Sequence, residues 1–250
     1  MEITKINPDY PKSEYFSGKK LGLIALATDH IIEDNLREML DKFDVSILTN
    51  RIIFDGQVTQ DSLAAMAQDL ERATYNLLPD KEIDVIAYGC SSGTAAIGED
   101  RLREEIQKVK PNAKVTNPIT AATEAFQALN VKKLSLLTPY IPDVNRKVGE
   151  TFAAKGMEIL NIAGFGVLED ADITRIDPDA IVKEAKACLH PSAEALFLSC
   201  TAMRSIQVIE TLEKELSIPV VSSNQAIAWH GIRLMGHRNP SDKWGRLFQF

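Results

Sequence analysis

Two cysteines carry the chemical interest of this 250-residue chain. Cys90 lies in the run Gly89-Cys90-Ser91-Ser92-Gly93, and Cys200 lies in Ser199-Cys200-Thr201-Ala202-Met203. Each follows a short apolar run and precedes a helical pattern, so each is expected between a strand end and a helix start. Free backbone N–H groups and the helix dipole at such a junction favour a thiolate. The hydroxyls of Ser91, Ser92 and Thr201 can cap a helix or bind substrate oxygen. Small residues such as Gly93 and Ala202 let backbone N–H groups approach a carboxylate or enolate. A thiolate and a thiol on opposite faces of one carbon suit proton transfer: one removes a proton and the other returns one from the far side, giving racemisation or epimerisation. The same pair can isomerise a double bond, when one thiolate adds, the resulting single bond rotates and the thiolate leaves. Neither scheme needs a metal or an organic cofactor. Buried cysteines also serve simply as small core residues, and Cys188, inside the helical stretch IVKEAKACLH, is read that way.

Other chemistries find less support. A zinc site needs clustered Cys and His, whereas the three cysteines are scattered and the four histidines show no ligand spacing. Neither a GxGxxG turn nor a Walker A loop is present. His30 follows a strand end and could partner a cysteine; His230, in AIAWHGIRLMG, reads as a packed helix residue.

The elements that must position the cysteines come in two matching sets. Strand patterns fall at 21–27, 45–49, 83–89 and 114–117, and again at 133–138, 158–163, 194–199 and 219–222. Helical patterns fall at about 31–43, 59–78 and 93–109, then at 142–155, 177–190, 203–216 and 224–236. Strands alternating with helices imply parallel sheets covered on both faces. Cys200 lies 110 positions after Cys90, and Pro139 lies 111 after Thr28. This near-constant offset implies an internal duplication, with two α/β lobes, each with a parallel four-stranded sheet, related by pseudo-twofold symmetry. Ligands in such sheets sit outside the carboxyl ends of the strands, where Asp29, Cys90, Tyr140 and Cys200 all fall. The expected organisation is an N-terminal arm over 1–16, a first lobe from 17–117 plus 224–250, and a second lobe over 118–223. The last helix is expected to cross back to the first lobe with its Ser223-Asn224-Gln225 start at the cleft.

The bulk numbers set the class. A hydrophobic content of 45% supports a substantial core, and 25% charged residues is ordinary for a soluble domain. The net charge of −7 offers no basic footprint for nucleic acid. No apolar run is long enough to span a bilayer, and the first residues lack the apolar middle of a signal peptide. Three cysteines that cannot all pair point to a reducing, cytoplasmic setting.

At these residues the chain resembles the Asp/Glu racemase superfamily, and within it the maleate cis–trans isomerase and arylmalonate decarboxylase group. The resemblance runs from about Gly22 to Gly236 and rests on GCSSG, SCTAM, the Thr138-Pro139-Tyr140 run and SNQAIAWHGIR from Ser223 to Arg233. It implies two Rossmann-like lobes, a carboxylate pocket, catalysis between two cysteine positions and frequent homo-oligomers. The decarboxylases replace the first cysteine; both are present here, which favours an isomerase. Two positions depart from the maleate isomerase pattern. Asp29, with Glu33 four residues on, stands where that pattern has asparagine, and so does Asp170 in GVLED. An asparagine amide can donate to a substrate carboxylate, and an ionised aspartate cannot. The pattern is similar to the ectoine-utilisation branch, whose compounds combine a carboxylate with a cyclic amidine. Helix capping or turn formation is the competing role for both aspartates.

The leading expectation is a two-cysteine isomerase of a small carboxylic acid carrying an amine or amidine. A decarboxylase using Cys200 alone and a non-catalytic binding protein are the alternatives. The two sulfurs are expected to face one cavity, roughly 6–8 Å apart if each lies about 3–3.5 Å from the reacting atom. Backbone N–H groups near Ser91, Ser92, Thr201 and Ala202, with the Tyr140 hydroxyl, are expected to stabilise an oxyanion. Asp29 and Asp170 are expected to point into the cleft from opposite lobes, and Asn224 is a further candidate substrate contact.

Overall fold

The structure, a computed structural model, describes residues 1–6, 9, 11, 16 and 18–250. The arm expected over 1–16 therefore lies partly outside the described residues; those described there have no regular secondary structure. Along the first half run β1 (Lys19–Leu26), α1 (Ile31–Met39), β2 (Val45–Ile52), α2 (Gln60–Ala65), α3 (Leu70–Tyr75), β3 (Val85–Gly89), α4 (Ser91–Ile97), α5 (Glu99–Val109), β4 (Lys114–Thr116) and α6 (Pro118–Ala128). The second half continues with β5 (Lys133–Thr138), α7 (Pro142–Ala154), β6 (Glu158–Gly164), α8 (Asp170–Ile173), α9 (Pro178–Cys188), β7 (Ala195–Leu198), α10 (Ile209–Leu216), β8 (Val220–Ser222) and α11 (Ser223–Leu234).

Two separate four-stranded sheets form, ordered β2-β1-β3-β4 and β6-β5-β7-β8, with every pairing parallel. The orders are the same when the halves are superposed in sequence, as the duplication requires. Central strands β3 and β7 are wholly buried, VIAYG and ALFL, because a parallel strand covered on both faces must be apolar throughout. Edge strand β2 is only half-buried over most of its length. Helix α1 turns Ile32, Leu36 and Met39 inward, the spacing of one helical face. In the second half, the Phe126, Phe152 and Phe197 rings meet edge to face at 5.2–6.4 Å and join α6, α7 and β7 in one core.

This topology fixes where a ligand can sit. The chain leaves β1 for β2 on one side, then returns to place β3 on the other. The strand order therefore reverses between β1 and β3, and likewise between β5 and β7, which opens a crevice at those carboxyl ends. Asp29 follows β1 and Cys90 follows β3; Tyr140 follows β5 and Cys200 follows β7.

Several helices differ from the sequence reading. The stretch expected over 59–78 divides into α2, a 3-10 turn and α3. The one expected over 93–109 starts earlier and breaks at Gly98, whose φ of 89° is left-handed. The one expected over 203–216 begins as an α-helix only at Ile209. Helix α6 was not anticipated. Its signals are Asn117, which caps the Thr120 N–H, and Pro118 in the first helical turn. Seven of its eleven residues are buried, and its outward face is a narrow one, Thr120, Glu124 and Gln127 at helical spacing, which leaves only a weak periodic signal. Helix α11 packs on α6, and also on α1, β3 and β4. A second tie joins the halves near the crevice: Val58 N–H donates to Leu168 O, and Asp170 N–H to Gly56 O, both at 2.8 Å.

Candidate active site

Cys90 is the N-cap of α4, with extended φ and ψ of −154° and 120°. Its Sγ accepts the Gly93 N–H at 3.2 Å and lies 3.5 Å from Ser92 Oγ. Gly93 is required here: a Cβ would stand 2.5 Å from the Tyr88 hydroxyl and 3.1 Å from the Cys90 sulfur. The N–H groups of Ser91 and Ser92 belong to the first helical turn, which has no carbonyl partners within the helix.

Cys200 does not share that setting. A bend over 201–203 and a short 3-10 turn follow it, so no α-helix dipole aims at its sulfur, contrary to the sequence expectation. Its backbone is held instead from across the site. The Cys200 N–H donates to Ser223 Oγ at 3.0 Å, and that hydroxyl pairs with Ser91 Oγ at 2.8 Å. The Thr201 hydroxyl donates to Gly89 O at 3.1 Å, tying the Cys200 loop to the strand that delivers Cys90. Asn224 Nδ2 donates to Thr201 O at 2.8 Å and to Asn35 Oδ1 at 2.9 Å. The N–H groups of Thr201 and Ala202 make no hydrogen bond among the described residues. Both cysteines are free, and each is 5% exposed.

Both aspartates are buried in the same region. Asp29 Oδ1 accepts the N–H groups of Ile31 and Ile32 at 2.8 and 3.1 Å, a capping role, while its Oδ2 has no hydrogen bond of normal geometry. Asp170 Oδ2 accepts the Thr28 hydroxyl at 2.5 Å. The Tyr140 hydroxyl is turned towards Cys200 and Ser92, which bias its ionisation, yet it makes no hydrogen bond of normal geometry.

The electrostatics correct a second expectation. Burial pushes the Cys90 thiol up to about 12, and the charges of Asp170 and Asp29 add to the rise, outweighing Ser92 and the Gly93 N–H. Burial raises Cys200 as well, again with Asp170 and Asp29 contributing. Both are thiols at neutral pH in the free protein, because desolvation and two nearby carboxylates defeat one short helix terminus. Burial also lifts Asp29, and lifts Asp170 to about 6, with the Asp29 charge adding to the latter.

The remaining candidates separate cleanly. Cys188 is half-buried and donates to Ala185 O within its own helix. His230 is buried on α11, its Nδ1 2.8 Å from the Thr116 hydroxyl, and burial lowers it to about 4, so it stays neutral. His30 is exposed. Among the described residues no group of three or more His, Cys, Asp or Glu could hold a metal ion, and no helix is long and apolar enough to cross a membrane. A large surface cavity between 38–44 and 237–244 contains none of the cysteines. The sequence reading places Ser223 at the cleft but assigns it no role, and it gives none to Thr28 or Asn35. Only Ser223 carried a signal, as the first residue after the Ser222 cap of α11.

With the geometry in place, the chain can be set beside known proteins. The family model described as arylmalonate decarboxylase matches residues 93–248. The chain belongs to the arylmalonate decarboxylase family. Its relatives divide between two activities. Maleate isomerase of Nocardia farcinica is 25% identical over 226 residues, covering 86% of this chain and 89% of that one. Arylmalonate decarboxylase of Bordetella bronchiseptica is 30% identical over 136 residues, covering 53% and 57%. A solved mutant of the Nocardia farcinica maleate cis–trans isomerase, with a covalently bound succinylcysteine intermediate, superposes with a TM-score of 0.85. It is 25% identical and covers 92% of this chain and 98% of that one. The two-sheet fold is thus shared with this maleate isomerase.

Proposed function

We propose that this family member is a cofactor-independent isomerase that works a small carboxylic acid between Cys90 and Cys200. The observation that carries the reading is the presence of a thiol at each of the two strand-order reversals, cross-tied through Ser91 and Ser223. A decarboxylase needs one protonating thiol; a device that ties two together is what a two-faced reaction needs. The N–H groups of Ser91, Ser92, Thr201 and Ala202, which make no backbone hydrogen bond among the described residues, would serve a substrate carboxylate, with the unpartnered Tyr140 hydroxyl as a further donor. They would stabilise charge growing on that carboxylate as its α-carbon loses a proton or gains a sulfur.

The substrate carries an amine or amidine as well as a carboxylate, as ectoine-type compounds do. Two buried carboxylates, Asp29 and Asp170, make the site hostile to a second substrate carboxylate. At an effective dielectric near 20, unit charges about 4 Å apart interact by about 4 kcal/mol. A substrate cation would reverse that term and, by offsetting both carboxylates, lower the two thiols towards ionisation. Substrate binding would thus generate the thiolate that the free protein lacks. The three free cysteines support a reducing, cytoplasmic setting.

The test is turnover of chiral and unsaturated amino or amidino acids in deuterated water. Isotope at the stereocentre with loss of activity in both Cys90→Ala and Cys200→Ala supports two-thiol proton transfer. Isomerisation without isotope supports addition and rotation, the route the succinylcysteine of the Nocardia farcinica enzyme suggests. Full activity in Cys90→Ala, with release of carbon dioxide from a malonate, would replace this reading with a decarboxylase.

A further inference from the structure

Three polar side chains near the two thiols, Asp170, Asp29 and Asn224, are candidates to hold a ligand, and their hydrogen bonds separate them. Asp170 is already engaged, since its Oδ2 receives the Thr28 hydroxyl. Asp29 Oδ1 caps α1, and Oδ2, in a side chain 1% exposed, has no hydrogen bond of normal geometry. Asn224, 2% exposed, shows the same division. Its Nδ2 donates to Thr201 O, which can only accept, so the amide cannot be turned round. The Oδ1 left over is buried without a donor. Both oxygens belong to side chains set against Thr201: Asn224 through that 2.8 Å bond, and Asp29 through the Thr201 hydroxyl, which lowers its carboxyl but has a single proton that Gly89 O already receives. Buried acceptors left unsatisfied are costly and are normally met by a ligand or water. One anionic and one neutral acceptor, beside the loop of Cys200, with Asp170 adding negative potential behind them, match a group with several N–H donors and a positive charge.

We propose that Asp29 Oδ2 and Asn224 Oδ1 form the subsite for a planar nitrogen cation of the substrate, an amidinium or guanidinium bearing at least two N–H donors. The inference rests on the functional reading above and refines it. It assigns the cation to Asp29 and Asn224, leaves Asp170 as a tie between the halves, and places the substrate carboxylate on the N–H groups at the other side of the thiols. An amidinium delocalises its charge and presents N–H groups in a plane, so two acceptors can be satisfied at once; a carboxylate satisfies neither.

Calorimetric titration of the full chain with two probes of similar length, guanidinoacetate and succinate, tests this without requiring turnover. The wild type should bind guanidinoacetate at least tenfold more tightly than succinate. Asp29→Asn keeps the oxygen that caps α1 and exchanges the orphan acceptor for a donor, so it should weaken guanidinoacetate about tenfold or more and bring succinate level. Asp170→Asn should leave the preference for guanidinoacetate in place. Asn224→Leu should also erase the preference, although it additionally removes two structural hydrogen bonds, so Asp29→Asn is the decisive variant. Equal affinities in the wild type, no measurable guanidinoacetate binding, or an unchanged ratio in Asp29→Asn would overturn the subsite. Cys90→Ala and Cys200→Ala should retain the binding ratio whatever they do to turnover. Loss of the two-thiol reading would therefore leave this result standing, and the reverse also holds.

Discussion

The hydroxyls of Ser91 and Ser223 share a 2.8 Å hydrogen bond that joins the first turns of α4 and α11. Because Ser223 also receives the Cys200 N–H, one side chain sets the relative position of both cysteine loops. Replacing Ser223 with Ala leaves that buried N–H without an acceptor, at a cost of about 1–3 kcal/mol. Displacement of a reacting group by an ångström can cost about 100-fold in rate. Ser223→Ala should therefore lower both the urea midpoint and turnover. Wild-type values for both would show that Ser223 does not hold the loops.

Tyr140 offers the opposite combination. Its hydroxyl is buried and makes no hydrogen bond of normal geometry, so its removal breaks no internal bond. Tyr140→Phe should keep or slightly raise the melting temperature. It should lower kcat, by up to about 100-fold if the hydroxyl donates to a developing oxyanion. Unchanged kinetics would place the hydroxyl outside the chemistry.

The ionisation of Asp170 couples stability to pH with a definite sign. Its carboxyl is lifted to about 6, so the fold prefers the protonated form. That preference stabilises the protein fully below about pH 4 and is lost as the pH rises through 6. Asp170→Asn keeps an oxygen for the Thr28 hydroxyl while removing a buried charge. It should be more stable than the wild type by about 1–3 kcal/mol at pH 7.5, with the difference vanishing near pH 4. Denaturant titrations at the two pH values decide the matter, and a destabilised variant at pH 7.5 would contradict the assigned role.

The thiols give an alkaline counterpart. Cys90 is lifted to about 12 and Cys200 is raised too, so each contributes stability that is complete below the unfolded thiol range and declines as pH rises towards the folded value. Between about pH 9 and 11 the slope should approach about 1.4 kcal/mol per pH unit for each thiol. The slope should be smaller in Cys90→Ala. Iodoacetamide should alkylate the free protein slowly at pH 7; rapid loss of either thiol there would show a thiolate the electrostatics do not permit.

Much of this protein is written in local pattern. The apolar runs of β1, β3, β5 and β7 and the helical stretches between them declare a parallel α/β chain, because strand and helix periods are properties of a few neighbouring residues. The 110-residue interval between Cys90 and Cys200 declares the duplication, and strand ends in a doubly wound sheet are where ligands bind. What the tertiary structure decided is everything that depends on distant partners. Spacing could not show that Ser223 reaches Ser91 and Cys200, or that Asn224 spends its donor on Thr201 and keeps its acceptor free. Nor could it show that Asp170 is held by Thr28, since that pair is separated by 142 residues. Helix α6 escaped because seven of its eleven residues are buried, mostly against α11, and only Thr120, Glu124 and Gln127 form a narrow polar face, which weakens amphipathic contrast. A helix terminus, a local signal, favours ionised thiols; two carboxylates folded in beside them and near-complete burial reverse that, because charge energies follow distance in space and solvent access, which sequence order does not record.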